Sequence, residues 1–348
     1  MKLKNIKFLM LLITTSCNLN CSYCYLEITK TKIMPFELAE EVLSLVSSVN
    51  NFFHVQITGG EPLCYPDFFE KFFRLIRRKD VRVSVGIQTN GTLFEPAILK
   101  IFRRYNPQIT ISIDGPPEIQ EDLRGKATAT FRGLHKLKDY ELGFRVNSVV
   151  TNVNINFLPK LLLLLGSFPN FLGMGLSLLV KKQKKGPEKL TLPDLEIFKE
   201  KVAEFLKNFE ILNRMRNKEI TFRELEVFKS LVKSRKKEFF CPSIKYKGMA
   251  VTPEGEIYPC TQTVYDSYFF SGTLEDPHFN GHLNLKKINK FHQLCFSCRF
   301  NSFCAGDCPS RTYYNRNKNL KFLCIMYDLF SKYVNIQTGR DLNENLLF

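Results

Sequence analysis

Between residue 6 and about residue 180, short runs of β-favouring residues alternate with amphipathic stretches, which restricts the chain to an α/β fold with a mainly parallel sheet. Candidate strands are Lys7–Thr14, Phe53–Thr58, Arg82–Thr89, Gln108–Asp114, Phe144–Thr151 and Leu172–Val180. Helices are expected at Phe36–Val49, Asp67–Arg78, Glu95–Arg104, Phe131–Tyr140 and Phe157–Leu165. Six such units fit a partial (β/α)6 barrel over residues 1–180, a sheet in which ligands collect at the carboxyl ends of the strands. Residues 181–238 read as a linker, Lys181 to Pro187, then helices that complete the core. Asp194 to Arg214 repeats apolar residues at helical spacing, and Ile220–Phe222 and a helix over Leu225–Ser234 follow. Residues 239–330 form a small, loop-rich, cysteine-bearing unit, and residues 331–348 a C-terminal tail.

The motifs fall after successive strands. Cys17, Cys21 and Cys24 follow the first, in Cys-Asn-Leu-Asn-Cys-Ser-Tyr-Cys. Three thiolates so close in sequence can hold three corners of an iron–sulfur cube and leave the fourth iron to a ligand that is not protein. The competing reading, a buried helical stripe, is opposed by Asn18, Asn20 and Ser22, which favour turns. Thr58-Gly59-Gly60-Glu61-Pro62 follows the second strand, where two glycines let the backbone approach a ligand closely. The third strand ends in Gln88-Thr89-Asn90-Gly91, a turn sequence, and the fourth in Ser112-Ile113-Asp114-Gly115-Pro116, with Asp122-Leu123-Arg124-Gly125 beyond it.

The cysteine loop, with Tyr23 as its aromatic residue, resembles the Cys-x3-Cys-x-aromatic-Cys of the radical S-adenosylmethionine (SAM) superfamily. The resemblance implies a cluster whose free iron binds the amino and carboxylate groups of SAM, and whose electron splits SAM to methionine and a 5′-deoxyadenosyl radical. It further implies that the backbone of Gly59, Gly60, Glu61 and Pro62 contacts the amino group. Ser112 and Arg124 would take the carboxylate, for which a guanidinium fork is suited. Arg132 lies close enough in sequence to compete for that role, and Asp122 offers Arg124 a local ion pair.

Further on come Cys241, Gly255-x4-Cys260, Cys295-x2-Cys298-x5-Cys304-x3-Cys308 and Cys324. A zinc ribbon would use four thiolates, and seven are present. The string resembles the SPASM domain of the same superfamily. By that resemblance Cys295, Cys298, Cys304 and Cys324 close one auxiliary cluster, and Cys241, Cys260 and Cys308 hold the other. The implied cofactors are SAM and three [4Fe–4S] clusters. Where sulfatase-maturing members carry another cysteine this chain has Lys247, so the second group is expected to have three cysteine ligands. Where they carry an aspartate proposed as a base, Thr261 follows Cys260, and a threonine hydroxyl is no general base near neutral pH. Asp266 is too distant in sequence to be given that role, and Cys64 reads as a packing residue.

A chain of 348 residues with 44% hydrophobic content has ample core for such a fold. Clustered rather than dispersed spacing of the 11 cysteines suggests metal ligation in a reducing cytoplasm. The apolar run Phe8 to Ile13 is too short for a signal peptide and Leu161 to Leu165 too short for a membrane span. The net charge of +16 favours acidic partners, although Lys181–Lys185 and Arg235–Lys237 read as solvated linker faces. The expected activity is hydrogen abstraction from a ribosomal peptide, followed by oxidation or crosslinking. The alternative within enzymes is a dehydrogenase or epimerase of a small molecule or sugar. A zinc-stabilised nucleic-acid-binding protein would leave Cys17, Cys21, Cys24 and Gly59–Pro62 unexplained. With the first strand beginning by residue 7, a peptide substrate would be presented by a separate leader-recognition protein or caught directly. A flavodoxin- or ferredoxin-like protein would donate electrons, and no nucleic acid or membrane partner is expected.

Overall fold

Strands β1 (Phe8–Thr14), β2 (Phe53–Gly59), β3 (Val83–Thr89), β4 (Gln108–Ser112), β5 (Phe144–Val150) and β6 (Phe171–Leu178) follow the expected runs closely. They come from a computed structural model that describes residues 2–26, 30–80, 82–182, 190–234, 241–288, 295, 297–304 and 306–338. The sheet does not stop at six strands. Among the described residues it has nine, in the order β7-β6-β5-β4-β3-β2-β1-β8-β9, adding β7 (Thr221–Phe222), β8 (Gly248–Val251) and β9 (Ile257–Tyr258). All neighbours are parallel except β8 and β9. Phe8↔Gly248 through Leu11↔Val251 fix β8 against β1, so the sheet continues into the cysteine-bearing unit.

Alternation along the strands decides the two faces. Val55, Ile57, Ile87, Ile109, Ile111 and Val146 are buried in the main core with the helices that follow them. These are α1 (Phe36–Ser47), α2 (Asp67–Arg78), α3 (Pro96–Tyr105), α4 (Pro117–Arg124), α5 (Ala127–Asp139) and α6 (Leu158–Gly166). Helix α2 shows why: Phe68, Phe69, Phe72 and Phe73 form its buried stripe, and its charges run acidic in the first turn to basic in the last. Gln56, Gln88, Ser112, Asn147 and Ser177 point to the opposite face and stay half-buried.

Helices α7 (Leu195–Met215) and α8 (Arg223–Ser234) add Phe198, Val202, Phe205, Leu225 and Phe228 to the main core. Asp194 caps α7 by accepting from Glu196 N at 2.8 Å. Three more helices follow among the described residues, α9 (Asn280–Ile288), α10 (Pro309–Tyr314) and α11 (Leu320–Thr338). The helix α11 runs through residues 331–338, the first part of the expected tail. Aromatic rings weld this end to the barrel: Phe228 of α8 meets Phe300, Phe303, Tyr327 and Phe330, and Phe198 of α7 meets Phe322. Residues 339–348 of that tail, Arg235–Lys237 and all but the first two residues of the Lys181 to Pro187 linker lie outside the described residues. Those two are not simply solvated. Lys181 N donates to Asn315 Oδ1 at 3.0 Å, and Lys182 Nζ donates to Val264 O.

Candidate functional site

The loop after β1 is non-helical through Cys24, as Asn18, Asn20 and Ser22 suggest. Its far half is gripped by α4, a helix with too few apolar residues to be read from periodicity. Ser22 donates to Leu123 O through both its backbone N (3.0 Å) and its hydroxyl (3.2 Å). The Tyr23 hydroxyl donates to Asp114 Oδ2 and accepts from Arg124 Nη1 at 2.5 Å, while Arg124 lies 3.4 Å from the same carboxylate. Asp114 is fully buried, and its other oxygen accepts from Val149 N at 2.7 Å. Arg124 therefore pairs with Asp114 and not with Asp122, which is exposed. Its side chain is only 11% exposed and its Nε is buried without a partner. Arg132 is exposed on α5. Burial pushes the Cys21 thiol up to about 11, partly offset by Arg124, and holds the Tyr23 hydroxyl well above its ordinary value.

The near half of the loop is joined to the next two motifs. A Cβ on Gly59 would lie 2.2 Å from Thr14 O, and one on Gly60 2.3 Å from Ser16 O. These glycines thus allow close approach to the entry of the cysteine loop itself, rather than only to a ligand. Gly60 N and Glu61 N donate to Thr14 O and Ser16 O, both at 2.8 Å. Glu61 is fully buried and turned away from solvent: it accepts from Leu63 N (3.1 Å), the Thr89 hydroxyl (2.6 Å) and Asn90 N (2.6 Å). Burial pushes its carboxyl up to about 6 against the pull of those donors. Pro62 opens the short turn behind it. Asn90 Nδ2 donates to Asn18 Oδ1 and Asn18 Nδ2 to the Thr92 hydroxyl, both at 2.8 Å. The Ser112 hydroxyl accepts from Gln88 Nε2 at 2.7 Å.

Cys64 departs from expectation. It is exposed rather than packed, its thiol meets Ser16 and the backbone of Asn18, and it adds to the electrostatic burden on Cys17. The turn that begins at Pro62 aims it back along the cysteine loop.

Two groups of the C-terminal thiols act on one another electrostatically. Cys241 is buried, and its thiol is pushed up to about 12 by burial, then by Cys308 and Cys260. Cys324 is pushed up to about 11 by burial, then by Cys298, Cys304 and Cys295. Among the described residues no three Cys, His, Asp or Glu side chains converge as around a single ion. A cube spreads its cysteines over separate corners, whereas zinc draws four onto one atom. Gln262 and Ser310 attend Cys308: the Ser310 hydroxyl is 3.1 Å from its sulfur and donates to Gln262 Oε1 at 2.5 Å.

Between the front loop and the first of these sets stands Tyr25. Its hydroxyl meets the Thr261 side chain, and the thiols of Cys24 and Cys260 both act on it. Asp266 is nearer than its place in sequence suggests. It accepts from the Tyr314 hydroxyl at 2.7 Å, and Tyr314 feels the Cys260 thiol. The adjoining Asn315 donates to Leu179 O at 2.7 Å, which sets the pair at the carboxyl end of β6.

Residues 11–160 match the Radical SAM superfamily. An uncharacterised protein of Methanocaldococcus jannaschii is 31% identical over 263 residues, covering 73% of this chain and 84% of that protein. The chain belongs to the radical SAM superfamily. A cysteine-type anaerobic sulfatase-maturating enzyme of Clostridium perfringens is 24% identical over 325 residues, covering 85% of this chain and 86% of that enzyme. The fold of this radical SAM protein matches the native anaerobic sulfatase-maturating enzyme anSMEcpe with bound SAM at a TM-score of 0.73. That match has 22% identity and covers 95% of this chain and 98% of the other. Streptococcus suis SuiB bound to SAM matches at 0.67, with 16% identity and coverage of 89% and 74%.

Membership implies a [4Fe–4S] cluster and SAM, and the residues present fit both. The front loop offers three thiols and no fourth from its own span. Beside it, the unpartnered Arg124 Nε is a buried donor of the kind a carboxylate would satisfy. Asp114, Tyr25, Gln262 and Ser310 escaped the sequence reading. Only Asp114 carried a signal, its place inside Ser-x-Asp-Gly-Pro. Among the described residues no helix is long and apolar enough to cross a membrane.

Proposed function

We propose that this radical SAM protein removes hydrogen from a peptide in the cytoplasm and oxidises or crosslinks it. The carrying observation is that Cys24, Tyr25 and Cys260 pack against one apolar cluster that contains Cys241, where the Tyr25 hydroxyl meets Thr261. Bound there, the Cys17, Cys21 and Cys24 cluster with SAM would supply the 5′-deoxyadenosyl radical, and two auxiliary clusters would supply an electron acceptor. Ser112 and Arg124 would hold the methionyl carboxylate, and the backbone of Gly59, Gly60, Glu61 and Pro62 its amino group.

Forming a double bond or crosslink also requires a proton acceptor. Thr261 is engaged by Tyr25 and is the wrong chemistry, so we assign that work to Asp266, oriented by the Tyr314 hydroxyl at the strand rim. The net charge of +16 suits an acidic leader peptide, a leader-recognition protein or an acidic flavodoxin- or ferredoxin-like donor.

The test is to reconstitute the protein anaerobically, expecting about twelve irons per chain, and to incubate it with peptides encoded beside its gene. A loss of about 2 Da that needs Cys241 and Cys295 supports oxidation. Unchanged mass with solvent deuterium incorporated points to epimerisation and overturns the reading. Asp266→Asn should leave 5′-deoxyadenosine formation intact and reduce oxidised peptide by about 100-fold.

A further inference from the structure

The cysteine loop carries a residue whose work is not assigned by its motif, the hydroxyl of Tyr23. A phenylalanine would fill the same aromatic position. Here the hydroxyl reaches Asp114, fully buried at the end of β4, and receives Arg124 Nη1 at 2.5 Å. Asp114 gains nothing from solvent: Tyr23 and Arg124 share one oxygen, and Val149 N donates to the other at 2.7 Å. Its backbone is fixed as firmly. Asp114 N donates to Gln120 Oε1 at 2.9 Å, and Asn154 Nδ2 donates to Asp114 O at 2.8 Å. The carboxylate is thus a rigid anchor set by α4, β4 and β5, and the cysteine loop hangs from it through one hydroxyl. The neighbouring grip, Ser22 on Leu123 O, points the same way, since Leu123 and Arg124 form the last turn of α4.

We infer that Asp114 is a positioning residue for the SAM site: it holds the Tyr23 hydroxyl and neutralises Arg124, so that Cys21 and Cys24 are held on α4. The stretch bearing Cys17 is held separately, by Asn18 on Asn90 and Thr92. Losing the anchor should therefore free one half of the loop and spare the other thiol groups. A charge-assisted hydrogen bond in a buried site is strong enough for this, because the partner left behind is stranded without water.

The inference holds whatever the substrate, and its test needs none. Reconstituted full-length protein is challenged anaerobically with EDTA in the presence of iodoacetamide, and mass spectrometry follows which cysteines become alkylated and when. In Tyr23→Phe we expect Cys21 and Cys24 to be labelled about tenfold sooner than in the wild type, with Cys295 and Cys308 at the wild-type rate. Asp114→Asn should act in the same direction and more strongly, but it also disturbs Val149. If that variant does not fold, Tyr23→Phe decides alone. Labelling of Cys21 and Cys24 at the wild-type rate in Tyr23→Phe overturns the inference. So does acceleration of all four cysteines together, which would mean that the hydroxyl merely stabilises the whole fold.

Discussion

Around Cys17, Cys21 and Cys24 the fixing contacts are buried and half-buried hydrogen bonds between loops from different strands: Asn18 to Asn90, Glu61 to Thr89 and Asn90, Tyr23 to Asp114. Around Cys295, Cys298, Cys304 and Cys324 they are rings, with Phe228 meeting Phe300, Phe303, Tyr327 and Phe330. Hydrogen bonds are directional and fail abruptly when bent, so they suit a loop that must present a small cofactor in one orientation. Apolar packing is non-directional and suits a segment that needs only to be held near the barrel. One region is specified by angle and the other by volume.

The sharpest break in that comparison removes the front thiols. Replacing Cys17, Cys21 or Cys24 by alanine should abolish reductive formation of 5′-deoxyadenosine and leave about two thirds of the iron in place. Chromatography of the nucleoside and an iron assay check both halves. Activity surviving in all three variants would refute the assignment.

Next in size is Phe228→Ala, which empties a site that is 1% exposed and should cost about 3–5 kcal/mol. Denaturant unfolding measures it, and SAM binding to the front site should be nearly unchanged.

Glu61 offers a smaller, pH-dependent effect. Its folded carboxyl titrates at about 6 instead of the ordinary 4.5, so the folded state binds more protons across that interval. Its contribution is therefore complete below pH 4.5 and is lost as the pH rises through 6. The stability difference between wild type and Glu61→Gln should fall by on the order of 2 kcal/mol from pH 4 to pH 7. A difference that does not move with pH would show that the three donors compensate the burial fully.

The smallest expected effect belongs to Cys64→Ala. As an exposed residue outside the implied ligand sets, it should retain iron content and 5′-deoxyadenosine formation within about a factor of two.

Strands β1 to β6 were legible because period-two burial against helices writes itself into each run, and the motifs were legible because they sit at strand ends. Other features had no local signature. Gly248–Val251 is four residues long, and only its pairing with β1 and β9 makes it a strand. The helix α4 buries just Gln120 and Leu123, so no apolar stripe announces it. Arg124 could be read as a partner of Asp122 because adjacency is visible in sequence, whereas the Asp114 contact depends on how β4 and α4 fold back. The exposure of Cys64 and the closeness of Asp266 to Tyr314 are likewise matters of turn direction, which composition does not encode.

The pairing of β1 with β8 has a consequence for how the chain is made. Synthesis delivers β8 some 240 residues after β1, so one flank of β1 waits through that stretch of translation before its partner exists. An uncovered strand edge as apolar as Phe8–Ile13 invites pairing with other chains. Expression of residues 1–180 alone should therefore yield aggregate where the whole chain yields dispersed protein, and slower translation should prolong the hazard.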